Sequence, residues 1–138
     1  MKTLACFSLL VFATLPQPSF GCRPVAGHEY KVPTKGERYA KADIVFSGKV
    51  IEMKKASGVK RGSEEHPYTY SLNMKIQKWM KGSGGKELEV FDTTGSDCDS
   101  LFGINHIVVA GDPRSYQWLV YVEKYQGRNW IITAEPVK

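Results

Sequence analysis

The sequence predicts a mostly β domain, a small barrel or sandwich with the OB-like barrel among its forms, and three observations predict it. Glycine, proline and alternating apolar residues dominate, no long stretch of 3.6-residue period appears, and five or six short strand patterns are separated by turn signals and one long polar loop. One or two short helices complete the expectation.

Residues 1 to 21 read as a secretion signal that is removed. Lys2 supplies a short positive start, residues 4 to 13 are uncharged and mostly apolar, and Ser19-Phe20-Gly21 puts small residues at the two positions a signal peptidase reads. Pro16 and Pro18 break any helix, and the run is shorter than the roughly 20 apolar residues that span a bilayer. The mature chain, residues 22 to 138, is then one secreted, extracellular domain by size.

Residues 34 to 42 (TKGERYAKA) supply one short helix ahead of the sheet. Residues 43 to 53 (DIVFSGKVIEM) form the first strand, with Ile44, Phe46 and Val50 on one face and Gly48 as a bulge or a point of close backbone approach. Residues 54 to 67 (KKASGVKRGSEEHP) form a long polar loop whose Lys54, Lys55, Lys60 and Arg61 make a basic patch. The clearest strand follows: Tyr68, Tyr70, Leu72, Met74 and Ile76 alternate with polar residues at a period of two, which buries one face. Lys81-Gly82-Ser83-Gly84-Gly85 turns the chain into residues 87 to 91, where Leu88 and Val90 face inward. Beyond a polar stretch come two apolar runs, 106 to 110 and 118 to 122, either of which fits the fourth strand. The second meets residues 129 to 133 across Gln126-Gly127-Arg128 as a hairpin. Trp79, Trp118 and Trp130 fall within strand patterns and read as core or rim packing.

Removal of the signal takes Cys6 and leaves Cys22 and Cys98, an even number in an oxidising compartment. One bridge between them is the simplest pairing; two thiols, or a bond to another chain, are the alternatives. The bridge would close a loop worth about 4 kcal/mol in the chain-entropy account. No CxxC and no Cys/His cluster at zinc spacing occurs, so no structural zinc and no cofactor is expected. Loss of Lys2 leaves 18 basic against 14 acidic residues, a formal +4 that favours an acidic protein surface or a sulfated glycan. No N-x-[ST] sequon is present.

No catalytic constellation stands out, and an enzyme is not expected. His28, His66 and His106 have no nucleophile motif beside them, the first two lying in polar loops and the third at a strand edge, which suits surface or capping roles. Asp97 and Asp99 flank Cys98 and read as a solvated turn rather than a pair of working carboxylates. The α-amine of Cys22 is different. Terminal amines have pKa values of about 7.7 to 8.0, so a sizeable fraction is neutral and offers a lone pair. The amine nitrogen and the carbonyl oxygen of Cys22 can close a five-membered chelate on a metal with an open position, such as a protease zinc.

Four segments carry a resemblance: Cys22 at the mature start, ADIVFSGKV (residues 42 to 50), the strand of residues 68 to 82 that ends in KWMKG, and SDCDSLF around Cys98. In order and spacing they resemble the netrin-like module of the tissue inhibitors of metalloproteinases, in a short single-domain form. The resemblance implies a five-stranded OB-like barrel, a Cys22 to Cys98 bridge and a wedge that enters a protease cleft. In that wedge the Cys22 amine and carbonyl would meet the protease zinc in trans, Arg23 would point into the primary specificity pocket beside Pro24, and Ser96, Asp97, Cys98 and Asp99 would line the other side. The chain departs from the family pattern in two places: Pro24 stands where a second cysteine is usual, and Arg23 where a small residue is usual.

The function expected on these grounds is inhibition of a secreted zinc metalloendopeptidase by a monomeric protein. The alternative is a non-inhibitory netrin-like module that docks an extracellular protein or matrix partner through its strand faces and basic loop. Secretion argues against nucleic acid as a partner, and no membrane partner is expected.

Overall fold

The computed structural model describes residues 31–61, 69–93 and 105–137. Among these, α1 (Lys35–Lys41) precedes β1 (Ile44–Lys55), β2 (Thr69–Lys81) and β3 (Glu87–Thr93). Two short 3-10 turns, Ile107–Val109 and Pro113–Ser115, lead into β4 (Gln117–Tyr125) and β5 (Arg128–Val137). The strands close a barrel in the order β1-β2-β3-β5-β4, with β4 returning to β1. All neighbours are antiparallel except β3 and β5, which meet in parallel at Phe91 and Trp130. This is the small OB-like barrel that the strand pattern and the resemblance lead one to expect.

β1 makes closure possible because it pairs on both sides. Gly48 faces Ile76 of β2 and Trp118 of β4, with a register shift beside it at Ser47. A Cβ at position 48 would lie 2.7 Å from the Lys75 carbonyl oxygen and 3.3 Å from the Phe46 ring, so the glycine marks a true close approach of two backbones. A second irregularity between Val50 and Glu52 pushes Ile51 out to solvent and bends the strand further.

The barrel interior follows the period of two. Ile44, Phe46 and Val50 of β1 meet Leu72 and Met74 of β2, Val90 of β3, Trp118, Val120 and Val122 of β4, and Ile131 and Ala134 of β5. A smaller cluster lies outside the barrel wall, where Ala42, Val45 and Tyr121 pack with Leu119 and Ile132 beside α1. Trp79 is half-buried with its ring 5.8 Å from Phe46, while Trp118 and Trp130 are buried, as core and rim packing requires.

α1 has no buried residue of its own and is held at its ends. Thr34 and Glu37 form a capping box: Glu37 N–H donates to Thr34 Oγ1, and Thr34 N–H to Glu37 Oε2. Lys81 Nζ donates to the carbonyls of Tyr39, Ala40 and Ala42 at 2.9, 3.2 and 2.5 Å, a cation set on the negative end of the helix. Arg38 reaches Glu135 of β5 at 2.5 Å.

The hairpin is confirmed, with Gln126 (φ 50°) and Gly127 (φ 73°) both left-handed, as a two-residue turn between twisted strands demands. Two expectations are corrected. Residues 106 to 110 are not a strand; Ile107, Val108 and Ala110 instead close one end of the barrel as a 3-10 turn packed on the core, and the fourth strand is the 118 to 122 run. Lys54 and Lys55 belong to β1 rather than to the polar loop. Tyr68 and loop residues 62 to 67 lie outside the described residues.

Gly48→Ala is expected to cost about 1–3 kcal/mol, because backbone rather than a mobile side chain blocks the new methyl group; a urea midpoint equal to that of the natural chain would refute this close approach. Glu37 is held below the ordinary carboxylate range by the Thr34 backbone N–H first, then by the Thr34 hydroxyl and the Lys31 charge. Its support for α1 is therefore complete above the ordinary glutamate pKa and is lost as pH falls through the lowered value. In an NMR titration the Thr34 amide should move with the Glu37 carboxyl at an acid-shifted midpoint, and an ordinary midpoint would count against the cap.

Candidate functional site

The wedge residues Cys22, Arg23, Pro24, Ser96, Asp97, Cys98 and Asp99 lie outside the described residues, as does the Cys22 to Cys98 bridge, and so do His28 and His66. The described residues do contain the stem on which the Cys98 segment stands. The chain leaves the barrel after Thr93 and is described again from Asn105, and both sides of that interval are fixed by hydrogen bonds.

Asp92 holds the stem together. It follows Leu88 and Val90 at the inward phase of β3 and is almost fully buried. Its Oδ2 accepts from the Ile107 and Val108 N–H groups at 2.7 and 3.3 Å, and its Oδ1 lies 2.8 Å from His106 Nδ1. An ionised carboxylate only accepts, so Nδ1 is the donor in that pair. Asn105 adds two bonds to β5, its N–H donating to Thr133 Oγ1 at 2.9 Å and its carbonyl accepting from Ala134 N–H at 3.0 Å. A buried carboxylate is costly unless its lone pairs are used, and Asp92 uses both oxygens to join β3 to the turn that closes the barrel.

His106 therefore differs from the expectation of a strand-edge residue: it stands at the N-cap of the 3-10 turn with no capping hydrogen bond from its own side chain, and Asp92 satisfies the turn instead. Asp92 was missed from sequence. The signal available was an acid at the same phase as Leu88 and Val90, where a strand with one buried face calls for an apolar residue.

The basic patch is more neutral than its sequence suggests. Lys54 Nζ lies 2.8 Å from Glu52 on the same strand. Arg61 pairs with Glu123 and stacks its guanidinium 5.8 Å over the Trp130 ring. Trp130 lies 5.5 Å from Phe91, which is covered on its own account by Arg128 at 5.8 Å. Arg61 thus ties the β1–β2 loop to the β4–β5 hairpin, and Lys55 and Lys60 are also engaged.

Between these loops the outer face of β1, β2 and β3 forms a shallow groove of about 240 Å³ lined by Glu52, Lys54, Ser71, Asn73 and Glu89. Glu87 joins it through Asn73 Nδ2, which donates to Glu87 Oε2 at 3.1 Å. In OB-fold proteins this face commonly receives oligonucleotides. Here three carboxylates would repel a phosphate backbone, which weighs against that use.

No family model matches the chain, and no curated protein matches it. Among the described residues no helix is long and apolar enough to cross a membrane, and no group of three or more His, Cys, Asp or Glu is placed to hold a metal ion.

Asp92→Ala leaves the Ile107 and Val108 N–H groups without their acceptor and is expected to cost about 1–3 kcal/mol. Faster hydrogen exchange at the Ile107 amide should accompany the lower urea midpoint. Unchanged exchange there would mean that Asp92 does not hold the turn.

Proposed function

We propose that the chain is a secreted, netrin-like inhibitor of a zinc metalloendopeptidase, acting through the amine and carbonyl of Cys22. The observation that carries the reading is the pinned stem within the closed barrel. The segment bearing Ser96, Asp97, Cys98 and Asp99 departs from β3 beside Asp92 and is regained at Asn105, whose backbone is tied to β5. An inhibitory wedge needs such a base, because a ligand that is already ordered loses less entropy when it docks. A bridge from Cys98 to Cys22 would extend that order to the terminal amine. The ADIVFSGKV and KWMKG segments also fall on β1 and β2, in agreement with the resemblance.

Arg23 narrows the target. A guanidinium taken into an apolar pocket carries a desolvation penalty of several kcal/mol unless an acid receives it. The fitting protease therefore has a carboxylate in its primary specificity pocket. Pro24, in place of the usual second cysteine, leaves one bridge to steady the wedge.

The test compares the natural secreted chain with one that carries an additional alanine before Cys22, across a panel of zinc metalloendopeptidases. Inhibition by the natural chain and its loss on extension is the expected result. Equal inhibition by both would overturn the chelation mechanism, and inhibition by neither would favour the non-inhibitory binding module.

A further inference from the structure

The outer face of β1 and β2 carries a charge arrangement that the barrel does not need. Lys49 of β1 stands directly opposite Lys75 of β2, and Lys78 stands opposite Ser47 on the same strand pair. All three lysines are exposed. Like charges directly opposite one another destabilise an antiparallel pair, so this juxtaposition works against folding.

Neighbouring acids do not relieve it. Glu87, across from Lys75 on β3, accepts from Asn73 Nδ2 at 3.1 Å; Glu89 accepts from Ser71 Oγ at 2.5 Å; and Glu52 lies 2.8 Å from Lys54 Nζ. Among the described residues no ion pair joins Lys49, Lys75 or Lys78 to an acid. Other cations have internal work: Lys81 serves the carbonyls at the end of α1, Arg38 pairs with Glu135, and Arg61 pairs with Glu123.

We propose that Lys49, Lys75 and Lys78 form a docking strip for a sulfated glycosaminoglycan chain. The strip runs roughly 10 Å along β2, given the rise per residue of a strand, and presents point charges on a flat sheet. Ammonium groups suit sulfates contacted singly, whereas bidentate recognition of phosphate or carboxylate favours arginine. A single-stranded nucleic acid would also need aromatic faces on which bases stack, and Lys49 and Lys75 have none between them. The formal net charge of +5 for the whole sequence adds long-range attraction to a polyanion. The strip uses no wedge residue, so it holds whether or not Cys22 inhibits a protease.

The test applies the full secreted chain to immobilised heparin and to a sulfonate cation exchanger, with elution by a salt gradient. The natural chain should leave heparin at higher salt than it leaves the sulfonate resin. The triple variant Lys49→Gln/Lys75→Gln/Lys78→Gln should bind heparin at least ~10-fold more weakly near 0.1 M salt, with the slope of log K against log salt reduced by about three. Its thermal midpoint should be unchanged or higher, because the repulsion is gone. The charge-matched variant Lys35→Gln/Lys54→Gln/Lys124→Gln should keep the heparin affinity of the natural chain. Equal weakening by both triples would overturn the proposal in favour of net charge, as would elution of the natural chain from heparin no later than from sulfonate. If the first triple lost binding to phosphatidylserine vesicles yet kept its heparin affinity, the strip would belong to a lipid surface and the proposal would fail.

Discussion

The barrel depends on one close approach, the contact of the β1 backbone at Gly48 with the Lys75 carbonyl of β2. At that point β1 pairs with β2 on one side and with β4 on the other. A strand with a side chain there would stand off from one neighbour, and the sheet would stay open with its edges unpaired. With the approach made, side chains from all five strands converge on Phe46, Leu72, Met74 and Val120, which are wholly buried. The same curvature leaves Val45 and Tyr121 on the outer wall, where the segment carrying α1 covers them.

Closure in the wall leaves open ends, and the protein seals one of them with backbone rather than with a long helix. The Ile107–Val109 turn is too short to satisfy its own N–H groups, so a carboxylate from the wall does it. Asp92 is effective there for the reason that makes it hazardous elsewhere: in a poorly polarisable site its hydrogen bonds are strong, and leaving them unmade would be expensive. α1 shows the exposed counterpart of the same device. Three of its terminal carbonyls converge on Lys81, an exchange of one flexible side chain for several orphan acceptors.

Much of the fold was legible because the apolar phase and the turn residues agree. β2 and β3, the Gln126-Gly127 hairpin and the Thr34 to Glu37 cap all have local chemistry that points the same way as the tertiary structure. The run around Ile107 was ambiguous because a short apolar stretch looks alike in a strand and in a plug, and only the barrel's open end decides between them. Lys54 and Lys55 carried a loop signal by composition, although β1 continues through them on pairing with Ser71 and Tyr70. Of the candidate site, the chemistry of a terminal Cys22 could be stated from sequence, whereas the Asp92 clasp depends on a contact across 15 residues that no local pattern encodes. The basic patch failed for a related reason. Net charge counts cations without regard to partners, and Arg61 and Lys54 have theirs.

Sorting the charges by partner separates two kinds of departure from an ordinary stable barrel. Asp92 replaces an apolar residue at an inward position, and the loss in burial is offset locally by hydrogen bonds that rigidify the stem. Lys49 and Lys75 oppose like charges on an exposed face, and nothing inside the molecule offsets that repulsion. Natural proteins tend to break local rules of this kind where function asks for it. The first departure suits a surface that must be rigid before it meets a cleft, since its compensation is built into the fold. The second suits a surface completed only by an anion from outside, since in the free molecule its electrostatics remain unbalanced. One small barrel can hold both because the demands fall on different parts of it, one on the stem at the end of β3 and the other on the outer wall of β1 and β2.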